Sequence, residues 1–385
     1  MDIGIPTEVR PEEYRVALSP PGVRTLVEQG HRVYVEAGAG AGAHFRDGDF
    51  EAAGATVVFG HEEVFARADL VVKVLAPTVD EFDLLRKGQM VAGFLHLATA
   101  PPALRTKVRE LEVRTLAYER IRLPGGVHPV MAAMSEIAGP VAVQMGAARL
   151  GSHGGGRGIL LGGASTVPPG KVVVIGAGVA GWAAAQVAVG LGADVTILDL
   201  DPGRLRDAHF LLDRGVKTVY AHGFALERAV EAANLLLLAV SDGSGRAPRI
   251  LDRALVRRMK PGAVLVDLSI TEGGASETSR PTRLSEPDYV DEGVVHVCVP
   301  NLPSAVARSA TRALTHVALP YVRLLADLGL EDAARSCPEL APAAGAAAFG
   351  EDGEGRALPP ERRPGWWNRA AEPPVPPPDW WDDPT

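Results

Sequence analysis

Residues 171–199 constrain the fold of this chain more than any other stretch. Val172-Val173-Val174-Ile175 is a run of β-branched apolar residues that reads as a strand buried on both faces. Gly176-Ala177-Gly178-Val179-Ala180-Gly181 follows without a break and leads into Trp182-Ala183-Ala184-Ala185, a helix-forming run. A second apolar strand, Val195-Thr196-Ile197-Leu198, ends in Asp199. Glycines at the turn let the backbone double back and approach a ligand closely. The helix behind them presents free N–H groups and a partial positive charge. An acid at the end of the second strand would accept both hydroxyls of a ribose. A lone Gly-x-Gly-x-x-Gly also marks ordinary tight strand–helix turns. Here the strand, helix, second strand and terminal acid that a dinucleotide fingerprint requires are all in place. The residues expected to hold the dinucleotide are Gly176, Gly178, Val179, Ala180, Gly181 and Asp199. Arg204 and Arg206 follow and could touch a 2′-phosphate, but Asp199 would repel it, which favours NAD over NADP.

Strand and helix patterns alternate on either side of this motif. Apolar strands are expected at 2–6, 31–36, 70–74 and 90–94, with helices at 20–29 and 101–110 and helical turns at 49–53 and 62–68. A long helix runs from Met131 to about Leu150, and 151–163 reads as a flexible glycine-rich connector. Further strands are expected near Val172, Val195, Leu236, Val264 and Val295, and a long amphipathic helix over 308–328. Such alternation predicts an α/β fold with two Rossmann-like doubly wound domains. The expected division is 1–130 with 309–345, 131–308, and a tail over 346–385. That tail is rich in Pro and carries Trp366, Trp367, Trp380 and Trp381 in pairs, so it reads as disordered or polyproline-like, with docking of a partner as a second reading.

Composition excludes several classes. The chain has 385 residues and a formal net charge of −8, without a basic run or zinc-like Cys/His spacing, which argues against nucleic acid as a partner. Two cysteines, Cys298 and Cys337, suggest neither a disulfide framework nor a metal cluster, and a reducing compartment fits. The start Met1-Asp2-Ile3-Gly4 reads as a strand rather than a secretory signal, and no uninterrupted apolar run is long enough to span a membrane. The expectation is a cytoplasmic protein without membrane or metal.

With this layout the chain resembles the alanine dehydrogenase and transhydrogenase α-subunit family. The likeness runs from Met1 to about Leu340. It rests on Gly4-Ile5-Pro6-Thr7-Glu8, Tyr14-Arg15-Val16-Ala17-Leu18-Ser19-Pro20 and Val35-Glu36-Ala37-Gly38-Ala39-Gly40. It continues through Phe94-Leu95-His96-Leu97, Met134-Ser135-Glu136-Ile137-Ala138-Gly139, Gly154-Gly155-Gly156-Arg157-Gly158, the nucleotide fingerprint, 259–267 and Asn301-Leu302-Pro303. The resemblance implies an active site in a cleft between two domains, NAD on the central one, and a homo-oligomer, a hexamer or dimer. Alanine dehydrogenases interconvert L-alanine with pyruvate and ammonia.

It also implies roles. Arg15 would hold the substrate carboxylate, for which a planar guanidinium fork is suited, although a surface arginine is the plainer reading. His96 would act as acid/base, since an imidazole near neutrality can take the proton of a hydroxyl as hydride leaves. On its own, a histidine between two leucines reads more often as a core residue. Asn301 would contact nicotinamide or else cap the helix after it, and Ser135 would touch the cofactor or substrate cleft or else start a helix.

Two positions depart from the family pattern. The family places Lys-Val-Lys-Glu-Pro where this chain reads Lys73-Val74-Leu75-Ala76-Pro77. Strand alternation would put Lys73 on the face of Leu75, about 7 Å farther back, as a weak replacement for the missing amine. The family's aspartate before Gln-Gly-Gly is Thr271, before Glu272-Gly273-Gly274. On an extended backbone Glu272 would point to the opposite side, with Asp267 and Ser269 on the face of Thr271. The expected function is therefore NAD-dependent oxidative deamination, or the reverse reduction, of a small amino or 2-oxo acid less polar or bulkier than L-alanine. A lyase or cyclodeaminase using NAD without net redox, and a non-catalytic NAD-binding protein, are the alternatives.

Overall fold

The computed structural model describes residues 1–97, 100–212, 215–241 and 246–345. The tail with its paired tryptophans lies outside them. The described chain divides into two units: Met1–Met134 with the chain from Ser304 onward, and Ser135–Pro303.

Unit 1 is built on β1 (Asp2–Ile5), β2 (Arg32–Glu36), β3 (Thr56–Val58), β4 (Leu70–Leu75), β5 (Met90–Phe94) and β6 (Arg114–Ala117). All pair in parallel, in the order β3-β2-β1-β4-β5-β6. The order reverses direction at β1, and in such sheets ligands gather at the carboxyl ends of the strands beside that point. Arg15 and His96 both follow carboxyl ends, of β1 and β5. The 22-residue helix Ala307–Leu328 covers the unit and binds it through its threonines. Thr311 and Thr315 hydroxyls accept the backbone N–H groups of Val16 and Ser19, at 3.1 and 2.8 Å.

Between β4 and β5 the register slips: Val72 faces Ala92, but Leu75 faces Phe94, three residues against two. This bulge breaks the alternation on which the expected shared face of Lys73 and Leu75 depends. Lys73 is 1% exposed, whereas Leu75 is half-buried.

Unit 2 adds β7 (Lys171–Ile175), β8 (Asp194–Asp199), β9 (Val216–Tyr220), β10 (Leu235–Leu238), β11 (Val264–Asp267), β12 (Asp288–Asp291) and β13 (Val294–Val297). Their order is β12-β13-β11-β10-β7-β8-β9, parallel except for the β12–β13 hairpin. The parallel strands repeat the winding of unit 1. The helix Pro129–Leu150 starts in unit 1 and ends in unit 2. By length and composition it alone among the described residues could cross a membrane. It is packed on unit 2: a Cβ at Gly139 would lie 2.3 Å from the Ala180 carbonyl, and one at Gly146 would lie 2.5 Å from Leu235. Residues 151–163 are not a loose connector. Arg157 N–H donates to Gly262 O at 3.0 Å and Gly158 N–H to Leu150 O at 2.8 Å.

Candidate active site

In unit 1 the loop after β1 carries Glu8, Glu13 and Arg15. The Arg15 guanidinium, 5% exposed, donates from Nε and Nη2 to the two carboxylate oxygens of Glu13, both at 2.6 Å. Its Nη1 reaches Met134 Sδ at 3.4 Å. Burial alone would weaken its hold on a proton, but the charge and hydrogen bonds of Glu13 raise it above the ordinary arginine range. The fork is therefore rigid and always cationic, with one edge bound to Glu13 and its Nη1 side turned to a soft sulfur. A carboxylate arriving on that side meets a pre-oriented cation.

Lys73 does not supply the missing amine. Its Nζ donates to Glu81 Oε1 at 2.7 Å and lies 3.4 Å from Glu8 Oε2. Glu8 in turn accepts the N–H groups of Val74 at 2.6 Å and Leu75 at 3.4 Å, where the bulge interrupts the ladder. A buried ammonium needs such counter-charges, and here they lie inside the unit. Burial pushes the Glu8 carboxyl up despite Lys73. Burial would do the same to Glu81, but Lys73 and His61 bring it to about 2. His61 Nδ1 lies 2.7 Å from Glu36 and Nε2 lies 3.3 Å from Glu81, the latter poorly aligned for a hydrogen bond.

His96 is not a core histidine. It is half-exposed between the buried Leu95 and Leu97, and its backbone is left-handed, with φ +46°. A non-glycine residue there costs roughly 1–3 kcal/mol, and such strain persists only where surroundings enforce it. Glu119 enforces it: its oxygens accept the N–H groups of Leu95 at 3.1 Å and His96 at 2.7 Å. The ring stacks on Phe94, centroids 6.3 Å apart, and Tyr118 meets Phe94 edge-on at 5.7 Å.

In unit 2 the three glycines do different work. Gly176 has φ +105°, and a Cβ on it would come 2.2 Å from Ala239 O. A Cβ on Gly181 would lie 1.8 Å from Gly176 O, so this glycine lets the helix sit on the strand end. A Cβ on Gly178 would meet nothing within 4 Å. The space beside Gly178 is open at the start of the helix Val179–Gly190, whose first N–H groups have no partner in their own helix. Asp199 faces the same loop. Its Oδ2 accepts Ala177 N–H at 2.6 Å and its Oδ1 accepts Asp201 N–H at 2.8 Å. Arg204 Nη1 lies 3.9 Å from Asp199 Oδ2, within ion-pair range of the acid. An open cradle of N–H groups beside an oriented carboxylate fits the pyrophosphate and ribose of NAD.

Thr271 is exposed in the 3₁₀ turn Ile270–Glu272, not on an extended strand. Successive side chains there differ by about 120°, so Glu272 is not opposite it. Asp267 and Ser269 do not share its face either. Asp267, wholly buried, accepts from Ser269 N–H, Ala275 N–H and Ser279 hydroxyl at 2.9, 2.8 and 2.6 Å, and burial pushes its carboxyl up. It closes the loop that carries Thr271. Ser135 lies inside the helix that begins at Pro129, so it does not start a helix, and it is one turn before Gly139. Asn301 is half-buried just before the 3₁₀ turn Leu302–Val306. Sequence reasoning missed Glu8, Glu13, Glu81 and Glu119. For Glu8 and Glu81 a lysine within the apolar run Leu70–Leu75 was the available signal, since it demands buried acids nearby.

The model for the alanine dehydrogenase/PNT N-terminal domain matches residues 4–138, and that for the C-terminal domain matches 142–348. Alanine dehydrogenase of Halomonas elongata is 46% identical over 333 residues, 86% of this chain and 90% of its own length. That of Mycobacterium tuberculosis is 44% identical over 341 residues, 89% and 92%. A solved structure of L-alanine dehydrogenase superposes with a TM-score of 0.83 at 43% identity, covering 89% of this chain and 94% of that one.

Proposed function

Because the chain belongs to the alanine dehydrogenase/PNT family, we propose that it catalyses reversible oxidative deamination at the α-carbon of a small amino acid. It is an NAD-dependent oxidoreductase acting on a CH–NH₂ donor. The observation that carries the residue assignment is the Glu13-held fork of Arg15, a buried permanent cation in the same unit as the strained, half-exposed His96.

Arg15 grips the substrate carboxylate from its Nη1 side and so fixes the α-carbon. Once the α-carbon has lost hydride, His96 takes the proton of the water that adds to the imine carbon and gives it to the carbinolamine nitrogen, which leaves as ammonia with the 2-oxo acid remaining; amination runs the same steps in reverse. NAD, when bound, accepts the hydride of the α-carbon. Gly176, Gly178, Val179, Ala180 and Gly181 would cradle its pyrophosphate, Asp199 would hold its ribose, Asn301 would contact its nicotinamide and Ser135 would line the cofactor or substrate cleft. Lys73 braces the β4 bulge through Glu8 rather than touching substrate.

The relatives make L-alanine the first substrate to test. Leu75, Ala76 and Thr271 favour a second reading, in which a less polar or bulkier amino acid or its 2-oxo acid is preferred. Losing one charge-assisted hydrogen bond withholds about 1.5–3 kcal/mol from a small polar ligand. The protein works as a homo-oligomer, a hexamer or dimer, in the cytoplasm. The test is a screen of the purified protein with NAD and amino acids, and with NADH, ammonia and 2-oxo acids, alanine and pyruvate included. Stoichiometric change in reduced-nicotinamide absorbance with any of them supports the reading. Coenzyme binding without turnover of any would overturn it in favour of a binding protein.

A further inference from the structure

His96 stands at the end of β5 in a backbone conformation that its own side chain disfavours, and no glycine is present to relieve it. The force that keeps it there comes from the neighbouring strand. β5 and β6 run parallel with Gly93 facing Ala117, and β6 passes directly into the 3₁₀ turn Tyr118–Arg120. Glu119, in the middle of that turn, therefore lies beside the end of β5. One carboxylate oxygen takes the N–H of Leu95 and the other that of His96. These two N–H groups are the first beyond the β5 ladder, and an anion that accepts both closes the turn more firmly than two separate neutral acceptors would. The turn holding Glu119 is itself tied down: Arg120 Nε donates to Pro342 O at 3.0 Å, and Arg122 N–H to Glu339 O at 3.1 Å.

We infer that Glu119 is a positioning residue for His96: its carboxylate fixes the left-handed turn at 95–96 and thereby the place of the imidazole above Phe94. Phe94, stacked on His96 and braced edge-on by Tyr118, sets the second boundary of the ring. The inference rests on the reading of His96 as the acid/base for its consequence in catalysis, but not for its consequence on the position of the ring. Glu119 itself need touch neither substrate nor NAD.

The experiment compares Glu119→Gln and Glu119→Ala with His96→Ala in the full chain. Imidazole resonances of His96 are followed through a pH titration, alongside steady-state kinetics and NADH binding. Glu119→Gln keeps one acceptor oxygen and the size of the side chain, so it provides the readout should the alanine variant fail to fold. The expected result is a shifted His96 resonance and titration midpoint in the Glu119 variants, with NADH affinity unchanged. Turnover should fall by on the order of 100-fold with KM for the amino acid changed far less, as misplacement by about 1 Å does to a positioned group. A His96 resonance and titration that match the unsubstituted protein in Glu119→Gln would overturn the inference, whatever the activity. Full activity of His96→Ala would instead overturn the acid/base reading, and the resonance would still decide the role of Glu119.

Discussion

Glu13 and Arg15 meet edge to edge, each oxygen of the acid taking one nitrogen of the fork at the same 2.6 Å. A lysine cannot reproduce this, because it offers a compact point charge instead of a planar pair of donors. Arg15→Lys should raise KM for the amino acid by about 10- to 100-fold, the equivalent of roughly 1.5–3 kcal/mol. Fluorescence titration with NADH should give the same affinity as before. An unaltered KM would remove Arg15 from substrate binding.

Leu75 is half-buried at the end of β4, so a long polar side chain can be introduced there without entering the core. Leu75→Lys combined with Thr271→Asp restores the family's amine and acid. Pyruvate amination by the double variant should exceed that of the unsubstituted protein by about 10-fold or more. If the unsubstituted chain already aminates pyruvate as fast, the two exchanges do not govern substrate choice.

Gly178 and Gly181 separate binding from folding. Gly178→Ala places its methyl in open space with an ordinary backbone, so thermal stability should be retained while NADH affinity falls at least several-fold. Gly181→Ala drives a methyl into the Gly176 carbonyl and should lower the melting temperature as well. Calorimetric melting beside NADH titration separates the two effects. Equal coenzyme affinity in Gly178→Ala would place the pyrophosphate elsewhere.

The chain of charges through Glu36, His61, Glu81 and Lys73 makes stability depend on pH in a defined window. The hydrogen bond to Glu36 and the close Glu81 carboxylate raise His61 to about 9 from its usual 6.5. Its contribution, on the order of 3 kcal/mol, is complete below pH 6.5 and disappears as pH rises through about 9. Glu81, brought down to about 2, acts the other way: its contribution holds above its usual 4.5 and is lost as pH falls through 2. Urea unfolding should therefore show a decline between pH 6.5 and 9 that His61→Asn flattens. Parallel curves for the two proteins would show that His61 does not carry this proton.

What could be read from the sequence followed from how local each constraint is. The glycine turn after β7 was legible because its geometry demands glycine at 176 and 181, and Asp199 turns back to the same loop, all within two strands and a helix. The parallel α/β class and the ends of β1 and β5 were legible for the same reason. Glu119 was not, since it meets His96 only once β6 has paired with β5. The strain at His96 carries no glycine to announce it. The face of Lys73 was misjudged because a bulge, invisible in an apolar run, shifts the period of two. β3 and β6 are edge strands of three and four residues, which leave little pattern to find.

The threonines of the Ala307–Leu328 helix have a consequence for biosynthesis. Translation delivers every strand of unit 1, and then the whole of unit 2, before Thr311 and Thr315 exist to receive the amides of Val16 and Ser19. A nascent polypeptide thus carries a finished second module while its first still lacks the helix that covers it. During that interval the first module, not the nucleotide-binding one, is the part that a chaperone or a protease would find open.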